Sequence, residues 1–516
     1  MAKFKPYSYT QCRFIPVFFN KQIQVGTLEY SINYLIENKF NLTEFDCHYN
    51  NDENGAPAYD PRILLKIVLF AYSRGITSSR EISKCCEENV VFMALSAHSR
   101  PHFTTISCFI SKMAHETIQL FCEVLLVCDE MGLIGREMFA VDGCKLPSNA
   151  SKEMSGTRKD FERKCDKLET AIERIVQRHQ NSDITEAETK QKETDDQYVA
   201  TIEKQVKKIK KWLDKNDEKI GHRGTPTKSN ITDNDSAKIK SSNGVIQGYN
   251  GVAMVDSKHQ VIVGARAYGE ATENHLLMPM VAVTRNNFNT IGKDENIFEN
   301  TKLTADSGFH TNENMERLAQ EHIDAYIADR HFRKRDPRFD NAGRYKEKTT
   351  KEKRKKARSR KQFLPNDFTF DPDWRFCHCP AGKRMYRNGF SLSKGMKRVS
   401  FKGRKCDCVP CELRAQCLRH PDKTEIRRVT CATEITTGKP DTIAEKMKRK
   451  IDSVVGKAIY AKRVATAEPP FAHIRSVMKL SRFSLRGKEK VNNQWLLFCI
   501  IHNLKKVHQY GMNVTV

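Results

Sequence analysis

Hydrophobic and polar positions change their spacing several times along the chain, and residues 1–135 have a mostly helical pattern. A nearly continuous apolar run extends from Pro61 to Tyr72, and proline suits the first position of a helix. We therefore predict a buried helix over these residues.

Two further helices are predicted from capping residues in the same region. Ser78 and Glu81 have the spacing of a capping box for a short helix through residue 87, and Thr104 or Thr105 would cap another through residue 113. The pair is compatible with a helix-turn-helix and equally with an ordinary helical bundle.

A strand pattern at Met138 to Val141 is followed by a highly charged stretch that continues to about residue 222. Within it, apolar residues recur at helical spacing and form two stripes that would pack together. The stripes consist of Leu168, Ile172 and Ile175, and of Ile202, Val206, Ile209 and Leu213. We predict a helical, coiled-coil-like hairpin that is inserted into another domain.

Strands and helices alternate in the next region. The runs YNGVAMVD and QVIVGARAY flank a turn at 257–259 and predict an antiparallel hairpin, followed by a helix over about 274–285. The strand LTAD, a helix over about 312–321 and the short strand AYIA come next. This order indicates the α/β class.

The excess of basic residues indicates a polyanionic partner. The 516 residues include 88 Lys and Arg against 63 Asp and Glu, a formal net charge of +25 that favours nucleic acid. The apolar stretches are too short to cross a bilayer, and the N-terminal residues MAKFKPYSYT lack the apolar segment of a signal peptide. We therefore expect no membrane contact and a cytoplasmic protein, associated with the nucleoid when bound to DNA.

Nearly half of the net charge is concentrated in one segment. Of the 32 residues from 330 to 361, 16 are Lys or Arg and 4 are acids. We interpret this segment as a basic arm held near phosphate, and the alternative is a solvated loop without specific contacts.

Six of the 17 cysteines lie between Cys377 and Cys417. The C-x-x-C pair Cys408 and Cys411 has the spacing of a tetrahedral zinc site, and the natural further ligands are Cys379 and Cys417. Four thiolates leave no position for water, so the Zn²⁺ would be structural. Other possible ligands are Cys377, His378 and Cys406.

Two acids follow predicted strands and are candidates for a divalent metal site. Asp142 follows the strand MFAV, and Asp306 follows LTA. Carboxylates from separate elements hold two Mg²⁺ ions in many phosphoryl-transfer enzymes, although an acid in this position is more often a turn residue.

The C-terminal segment GKAIYAKRVATAEPPFAHIRSVMKLSRFSLRGKEKVNNQWLLFCIIHNLKKV resembles the end of insertion-sequence transposases of the IS1182 type, within the IS4/IS5-like DDE group. Further segments resemble that family in the same order over some 450 residues. They are YDPRILLKIVLFAYSRGITSSREISKCCEENVVFMAL, PHFTTISCF, FAVDGCKL, GYNGVAMVDSKHQVIVGARAYGEATENHLLMPM, LTADSGFH, and CPAGKRM with CVPC.

The resemblance implies an RNase H-like catalytic core in which Asp142, Asp306 and Glu468 bind two Mg²⁺ or Mn²⁺ ions. Glu468 precedes Pro469-Pro470-Phe471, and we expect it at the start of a helix, where the helix dipole would favour an acid. Insertions account for the long separations of 164 and 162 residues between the three acids.

Related enzymes carry a Tyr, Arg, Glu, Lys signature around this glutamate. Tyr460, Arg463 and Glu468 match three of its members, and Arg475 stands where the wider group more often has Lys. The gap from Arg463 to Glu468 is also one residue longer than in the wider group. The resemblance implies that Tyr460, Arg463 and Arg475 bind DNA, and an alternative for the first two is a basic amphipathic helix.

These inferences predict one catalytic fold interrupted by insertions. The predicted domains are an N-terminal helical DNA-binding domain at 1–135, the first core strand at 136–150, the helical insertion at 151–225, further core at 226–330, the basic arm at 331–375, a zinc-ribbon-like cysteine module at 376–431, and the C-terminal part of the core at 432–516.

The predicted function is a DNA transposase that binds terminal inverted repeats and catalyses Mg²⁺-dependent cleavage and strand transfer. By family analogy we expect a homodimer when it is active, with the helical insertion as a candidate contact. Two alternatives stay open: a catalytically inactive DNA-binding protein or regulator, and an RNase H-like nuclease that cuts without joining strands.

Overall fold

The computed structural model describes residues 17–49, 57–180, 186–221, 224–241, 244–293, 296–339, 362–393, 396–435 and 442–511. The chain divides into two compact units. The larger unit comprises Met1–Arg330 and Met447–Val516, and the smaller unit comprises His331–Lys446. Most of the predicted basic arm, residues 340–361, lies outside the described residues.

Six helices form the N-terminal part of the larger unit. They are α1 (Leu28–Asn38), α2 (Pro61–Ser73), α3 (Ser79–Glu88), α4 (Val90–Leu95), α5 (Phe103–Lys112) and α6 (Ala114–Glu130). Helix α2 begins at the predicted proline, and every side chain from Leu64 to Ser73 is buried. Its one buried cation, Lys66, pairs with Glu37. The prediction of a buried helix is confirmed.

The caps of α3 and α5 differ from the sequence-based expectation. Ser78 is the residue before α3, but its side chain makes no capping hydrogen bond. Helix α5 is capped by His102, whose ring nitrogen accepts a hydrogen bond from the Thr104 amide at 3.5 Å, and not by Thr104 or Thr105. An unprotonated ring nitrogen has the lone pair that a cap needs, so histidine replaces the expected hydroxyl here.

A six-stranded mixed sheet follows in the larger unit. Its strands are β1 (Met138–Pro147), β4 (Ala237–Ser241), β5 (Gly244–Asp256), β6 (Ile262–Tyr268), β7 (Lys302–Ala305) and β8 (Ala325–Ile327). The order is β4-β5-β1-β7-β8, and β6 pairs with β5. Strand β1 is antiparallel to β5 and parallel to β7, which is itself parallel to β8. The predicted α/β class and the β5–β6 hairpin are confirmed.

Three helices pack against this sheet: α9 (Leu277–Thr290), α15 (Val454–Ala472) and α16 (Lys488–Lys506). Two others are α10 (Asn312–Gln320), which packs on α9, and α14 (Ile443–Asp452), which precedes α15 in the sequence. The apolar run of α16 is buried, and the Trp495 indole N–H donates to the Val252 carbonyl of β5 at 3.1 Å. A side chain at Gly251 would lie 3.1 Å from the Trp495 ring, so this glycine permits the close approach of helix and strand.

The inserted hairpin consists of α7 (Arg158–Gln180) and α8 (Glu186–Lys215). The short strands β2 (Ser155–Gly156) and β3 (Ser229–Asn230) pair at its base. The predicted residues Ile202, Val206 and Ile209 are buried in its core, together with Phe161 and Trp212, which the stripe had not included.

The smaller unit contains a five-stranded antiparallel sheet in the order β13-β12-β11-β10-β9. Its strands are β9 (Thr369–Phe370), β10 (Phe376–His378), β11 (Arg384–Ser393), β12 (Met396–Lys402) and β13 (Arg428–Ile435). Three four-residue helices accompany it: α11 (Phe332–Arg335), α12 (Lys405–Cys408) and α13 (Arg414–Cys417). The sheet extends beyond the predicted module of 376–431 at both ends, because β9 and Phe368 close its small core.

Candidate active site and cysteine pocket

Asp142 and Asp306 lie side by side because β1 and β7 are parallel neighbours. The last paired residues of the two strands are Val141 and Ala305, and each aspartate follows one of them. Strand β7 ends at Ala305, whereas β1 continues to Pro147, so Asp142 lies within a strand and not after it. This corrects the predicted strand end, which had been placed at the Asp-Gly pair.

Glu468 lies near the C-terminal end of α15, not at the start of a helix. The helix begins after Ser453, whose hydroxyl accepts a hydrogen bond from the Gly456 amide at 3.0 Å, and it continues through Pro469 and Pro470 to Ala472. A π-helical turn, His473–Val477, follows the two prolines, which lack the N–H groups of a regular α-helix. The helix dipole therefore does not favour the charge on Glu468, and that expectation was wrong.

The three predicted acids line one pocket of about 900 Å³. Asp142 and Asp306 reach it from the sheet, whereas Glu468 reaches it from α15. We call these three residues the acidic centre. Arg475, on the π-helical turn, lines the same pocket.

Arg463 connects the two aspartates. Its Nη1 lies 2.9 Å from Asp142 Oδ2, its Nη2 lies 3.7 Å from Asp306 Oδ1, and its side chain is only 8% exposed. The Arg463 guanidinium also lies 5.7 Å from the centre of the Tyr460 ring. In this structure Arg463 contacts carboxylates inside the protein, and this contact differs from the direct DNA contact that the resemblance implied.

Burial and neighbouring charges have opposite effects on the pKa values of Asp142 and Arg463. Burial raises the pKa of Asp142 above its usual value, although Arg463 and the Gly143 amide favour the ionised carboxylate. Burial alone would lower the pKa of Arg463, but Tyr460 and the two aspartates raise it. The arginine thus stays charged and partly offsets the repulsion between the aspartates.

The carboxylate oxygens of the acidic centre suit Mg²⁺ or Mn²⁺, which prefer hard oxygen ligands. One further acid, Glu273, also lines the pocket and was missed by the sequence reasoning. It lies in the loop between β6 and α9. The signal used for Asp142 and Asp306, an acid shortly after a strand, was present here too, but the strand ends five residues earlier.

In the smaller unit, Cys379, Cys408, Cys411 and Cys417 line one small pocket of about 30 Å³. We call this the cysteine pocket. Arg414 ties its turns together by donating to the carbonyls of Cys408 and Pro421, both at 2.7 Å. Burial raises the pKa of Cys417; Arg427 lowers it, and the other three thiols raise it further.

The alternative zinc ligands are placed less favourably. Cys377 is fully buried in the apolar core of the small sheet, and neither His378 nor Cys406 lines the pocket. Four thiols around so small a pocket fit a zinc ion in the chemistry of the ligand set. Among the described residues only Cys47, His48 and Glu116 bring three possible ligand atoms within 4.8 Å of one another, so neither the thiols of the cysteine pocket nor the carboxylates of the acidic centre meet this distance.

Two models of known protein families match parts of the chain, and both describe transposase domains. A family model described as "Transposase DDE domain" matches residues 378–508, and one described as "Transposase domain (DUF772)" matches residues 17–112. The first match includes Glu468 but neither aspartate. No curated protein matches the chain.

The chain therefore matches transposase-domain models in both its N-terminal and its C-terminal parts. The combination is typical of IS1182-type insertion-sequence transposases, and the resemblance found in the sequence is confirmed. Among the described residues, no helix is both long and apolar enough to span a membrane.

Proposed function

We propose that this protein is a DNA transposase that cuts at the ends of an insertion sequence and joins the freed 3′ ends to target DNA. The observation that carries the proposal is the convergence of Asp142, Asp306 and Glu468 on one pocket, although 164 and 162 residues separate them in the sequence. Such a centre is expected within an RNase H-like core.

Divalent ions bound by the acidic centre, two Mg²⁺ or Mn²⁺, would supply an activated water and neutralise charge on the leaving oxygen. Asp142 and Asp306 provide ligands from neighbouring strands, which fixes their spacing. Glu468 provides a ligand from the facing helix and is exposed, so it can approach the bound DNA strand.

The two arginines near the acidic centre, Arg463 and Arg475, have different proposed roles. Arg475 is exposed at the pocket edge, where a guanidinium can bind a phosphate oxygen with two N–H groups. Arg463 is buried, and we assign it to holding the two aspartates together before an ion binds. Tyr460 lies three residues before Arg463 on α15, and its ring helps to orient the Arg463 guanidinium.

The N-terminal helices would read the terminal inverted repeats. A groove of about 450 Å³ lies between α3 and α5. Five hydroxyl side chains, an arginine, a phenylalanine and a cysteine line it: Ser78, Ser79, Arg80, Phe103, Thr104, Ser107, Cys108 and Ser111. The Arg80 guanidinium stacks 4.8 Å from the centre of the Phe103 ring, which limits its motion. Hydroxyl and guanidinium groups are donors of the kind that contact phosphates and base edges.

Pairing two element ends requires at least a dimer, and the α7–α8 hairpin is the surface we assign to it. Val176 and Tyr198 are large apolar side chains on this hairpin that stay 43% and 56% exposed. Zn²⁺ in the cysteine pocket would stabilise the smaller unit and take no part in the reaction.

The proposal is tested by incubating purified protein with a labelled element end, target DNA and Mg²⁺. Wild-type protein should cut and join, Asp306→Asn should bind DNA without cutting, and the exposed surface variant Glu316→Gln should match the wild type. Binding without cutting by wild-type protein would favour an inactive regulator. Cutting without joining would favour a nuclease.

A further inference from the structure

Glu273 is an inward-facing acid that follows three exposed loop residues, 270–272. Its side chain is only 16% exposed, whereas Glu270 and Ala271 in the same loop are exposed. Glu273 lines the pocket of the acidic centre, but it is not one of the three acids that the family resemblance identifies. Its orientation therefore needs an explanation of its own.

The Glu273 carboxylate lies beside the backbone that follows each aspartate. A Cβ atom at Gly143, which follows Asp142, would lie 3.6 Å from Glu273 Cδ. A Cβ atom at Gly308, two residues after Asp306, would lie 3.9 Å from Glu273 Oε2. The Glu273 carboxylate thus lies between the two chain segments that carry the aspartates.

Four carboxylates lie around one pocket, and cations surround them. Lys145 Nζ lies 3.4 Å from Glu273 Oε1, and Arg463 contacts the two aspartates. Lys240 and Arg475 line the same pocket, so the formal charges balance, but the four acids still lie close enough to repel one another. Burial raises the pKa of Glu273; Lys145 lowers it, and Asp142 and Asp306 raise it again.

We propose that Glu273 is a fourth carboxylate ligand of the divalent-ion site, and that Lys145 pairs with it only while the ion is absent. The inference rests on the proposed function, because it takes the acidic centre to bind divalent ions. A dication would offset the repulsion among the clustered carboxylates, and Lys145, a flexible side chain that is partly exposed, can be exchanged for the ion as the partner of Glu273.

The test measures Mn²⁺ binding to the full-length protein without DNA, by calorimetry and by the electron paramagnetic resonance of free Mn²⁺. We expect Glu273→Gln to weaken binding by about tenfold or more, since even residues outside the ligand set change metal affinity by roughly that factor. Glu273→Asp should recover part of the affinity. Glu270→Gln, in the same loop but outside the pocket, should bind Mn²⁺ as the wild type does.

Lys145→Gln separates a ligand from a merely structural ion pair. If the pair only held the loop in place, losing either partner would weaken Mn²⁺ binding in the same direction. If Lys145 competes with the ion for Glu273, Lys145→Gln should bind Mn²⁺ more tightly than the wild type, opposite in sign to Glu273→Gln.

The outcomes distinguish this inference from the proposed function. If wild-type protein binds Mn²⁺ and cuts DNA but Glu273→Gln binds Mn²⁺ equally well, Glu273 is not a ligand and the transposase proposal stands. If wild-type protein binds no Mn²⁺ and does not cut, the proposed function fails, and this inference fails with it.

Discussion

The acidic centre and the cysteine pocket both collect side chains from distant parts of the sequence, but different structures hold them. The aspartates extend from two strands of a mixed sheet, and the apolar residues that precede them, Phe139 to Val141 and Leu303 with Ala305, are fully buried. The four cysteines lie on turns and four-residue helices beside a sheet whose buried core has only six residues.

The two sites would therefore use a metal ion in different ways. The acidic centre is held by the fold, and the ion it would bind serves the reaction. The cysteine pocket is next to a core too small to hold its turns, so the ion it would bind serves the fold. Each of the following changes should therefore affect one region and spare the other.

The largest effect is expected at the cysteine pocket. Cys411→Ser should remove a zinc ligand and unfold the smaller unit, because structural zinc contributes about 10 kcal/mol or more of apparent binding free energy. Metal analysis should find about one zinc per wild-type chain, and limited proteolysis should cut the variant within residues 362–435. Cys406→Ser, an exposed cysteine outside the pocket, is the control. Wild-type protein that is well folded without metal would contradict this assignment.

The acidic centre should show the opposite behaviour, with lost activity and a retained fold. Asp142→Asn removes a charge whose burial is unfavourable, so we expect the free energy of unfolding to change by less than about 1 kcal/mol. Cleavage of a labelled element end should fall roughly 10⁴-fold, as for the loss of other essential catalytic groups. Cleavage within tenfold of the wild type would remove Asp142 from the centre.

Arg463→Met should make the stability of the acidic centre depend on a bound metal ion. We expect the same dependence of the cysteine pocket in the wild-type protein. Without the guanidinium, two neighbouring carboxylates lose their partner, and we expect a loss of about 3 kcal/mol in urea unfolding without metal. Mg²⁺ should restore more stability to this variant than it adds to the wild type. The neighbouring exposed Lys462→Met should change neither value. Equal effects of Mg²⁺ on both proteins would argue against ion binding between the aspartates.

Acid should weaken the scaffold of the acidic centre through a buried histidine pair. His502 Nε2–H donates to the Gln260 carbonyl at 2.9 Å, and its Nδ1 lies 2.9 Å from His473 Nδ1, so at least one of the two Nδ1 atoms carries no proton. Burial lowers the pKa of His502 to about 3 and that of His473 to about 4.

The unfolded chain takes up these protons near pH 6.5, before the folded chain does. Stability should therefore be unchanged above pH 7 and fall by about 2 kcal/mol between pH 6.5 and pH 5. Urea unfolding of the larger unit measures this loss, and His502→Gln should reduce it. A flat profile down to pH 5 would show that the two rings accept protons in the folded state.

The sequence predicted best where a local pattern also determines the fold. Asp142 and Asp306 end up as neighbours because two apolar strands pair in parallel, and the four cysteines surround one pocket as their spacing predicted. The Pro469-Pro470 pair suggested a helix start after Glu468, but Ser453 caps that helix fifteen residues earlier.

Other features depend on tertiary contacts that no local pattern reveals. The inward orientation of Arg463 results from two carboxylates on the sheet, and Glu273 faces the pocket where it pairs with Lys145 of β1. Glu273 also follows a strand, but five residues separate it from the end of β6, so its position after a strand did not single it out. The predicted cysteine module also began too late in the sequence, because β9 and Phe368 belong to the small sheet and its core but precede the first cysteine.

The most direct test replaces one predicted ligand with a softer one. Asp306→Cys puts a thiolate at the acidic centre, and Mn²⁺ accepts a sulfur ligand more readily than Mg²⁺ does. We predict that this variant cuts a labelled element end in Mn²⁺ but not in Mg²⁺, whereas wild-type protein and the surface control Glu316→Cys cut in both. Equal cleavage by Asp306→Cys in the two metals, or no cleavage in either metal by wild-type protein, would contradict a catalytic ion at Asp306.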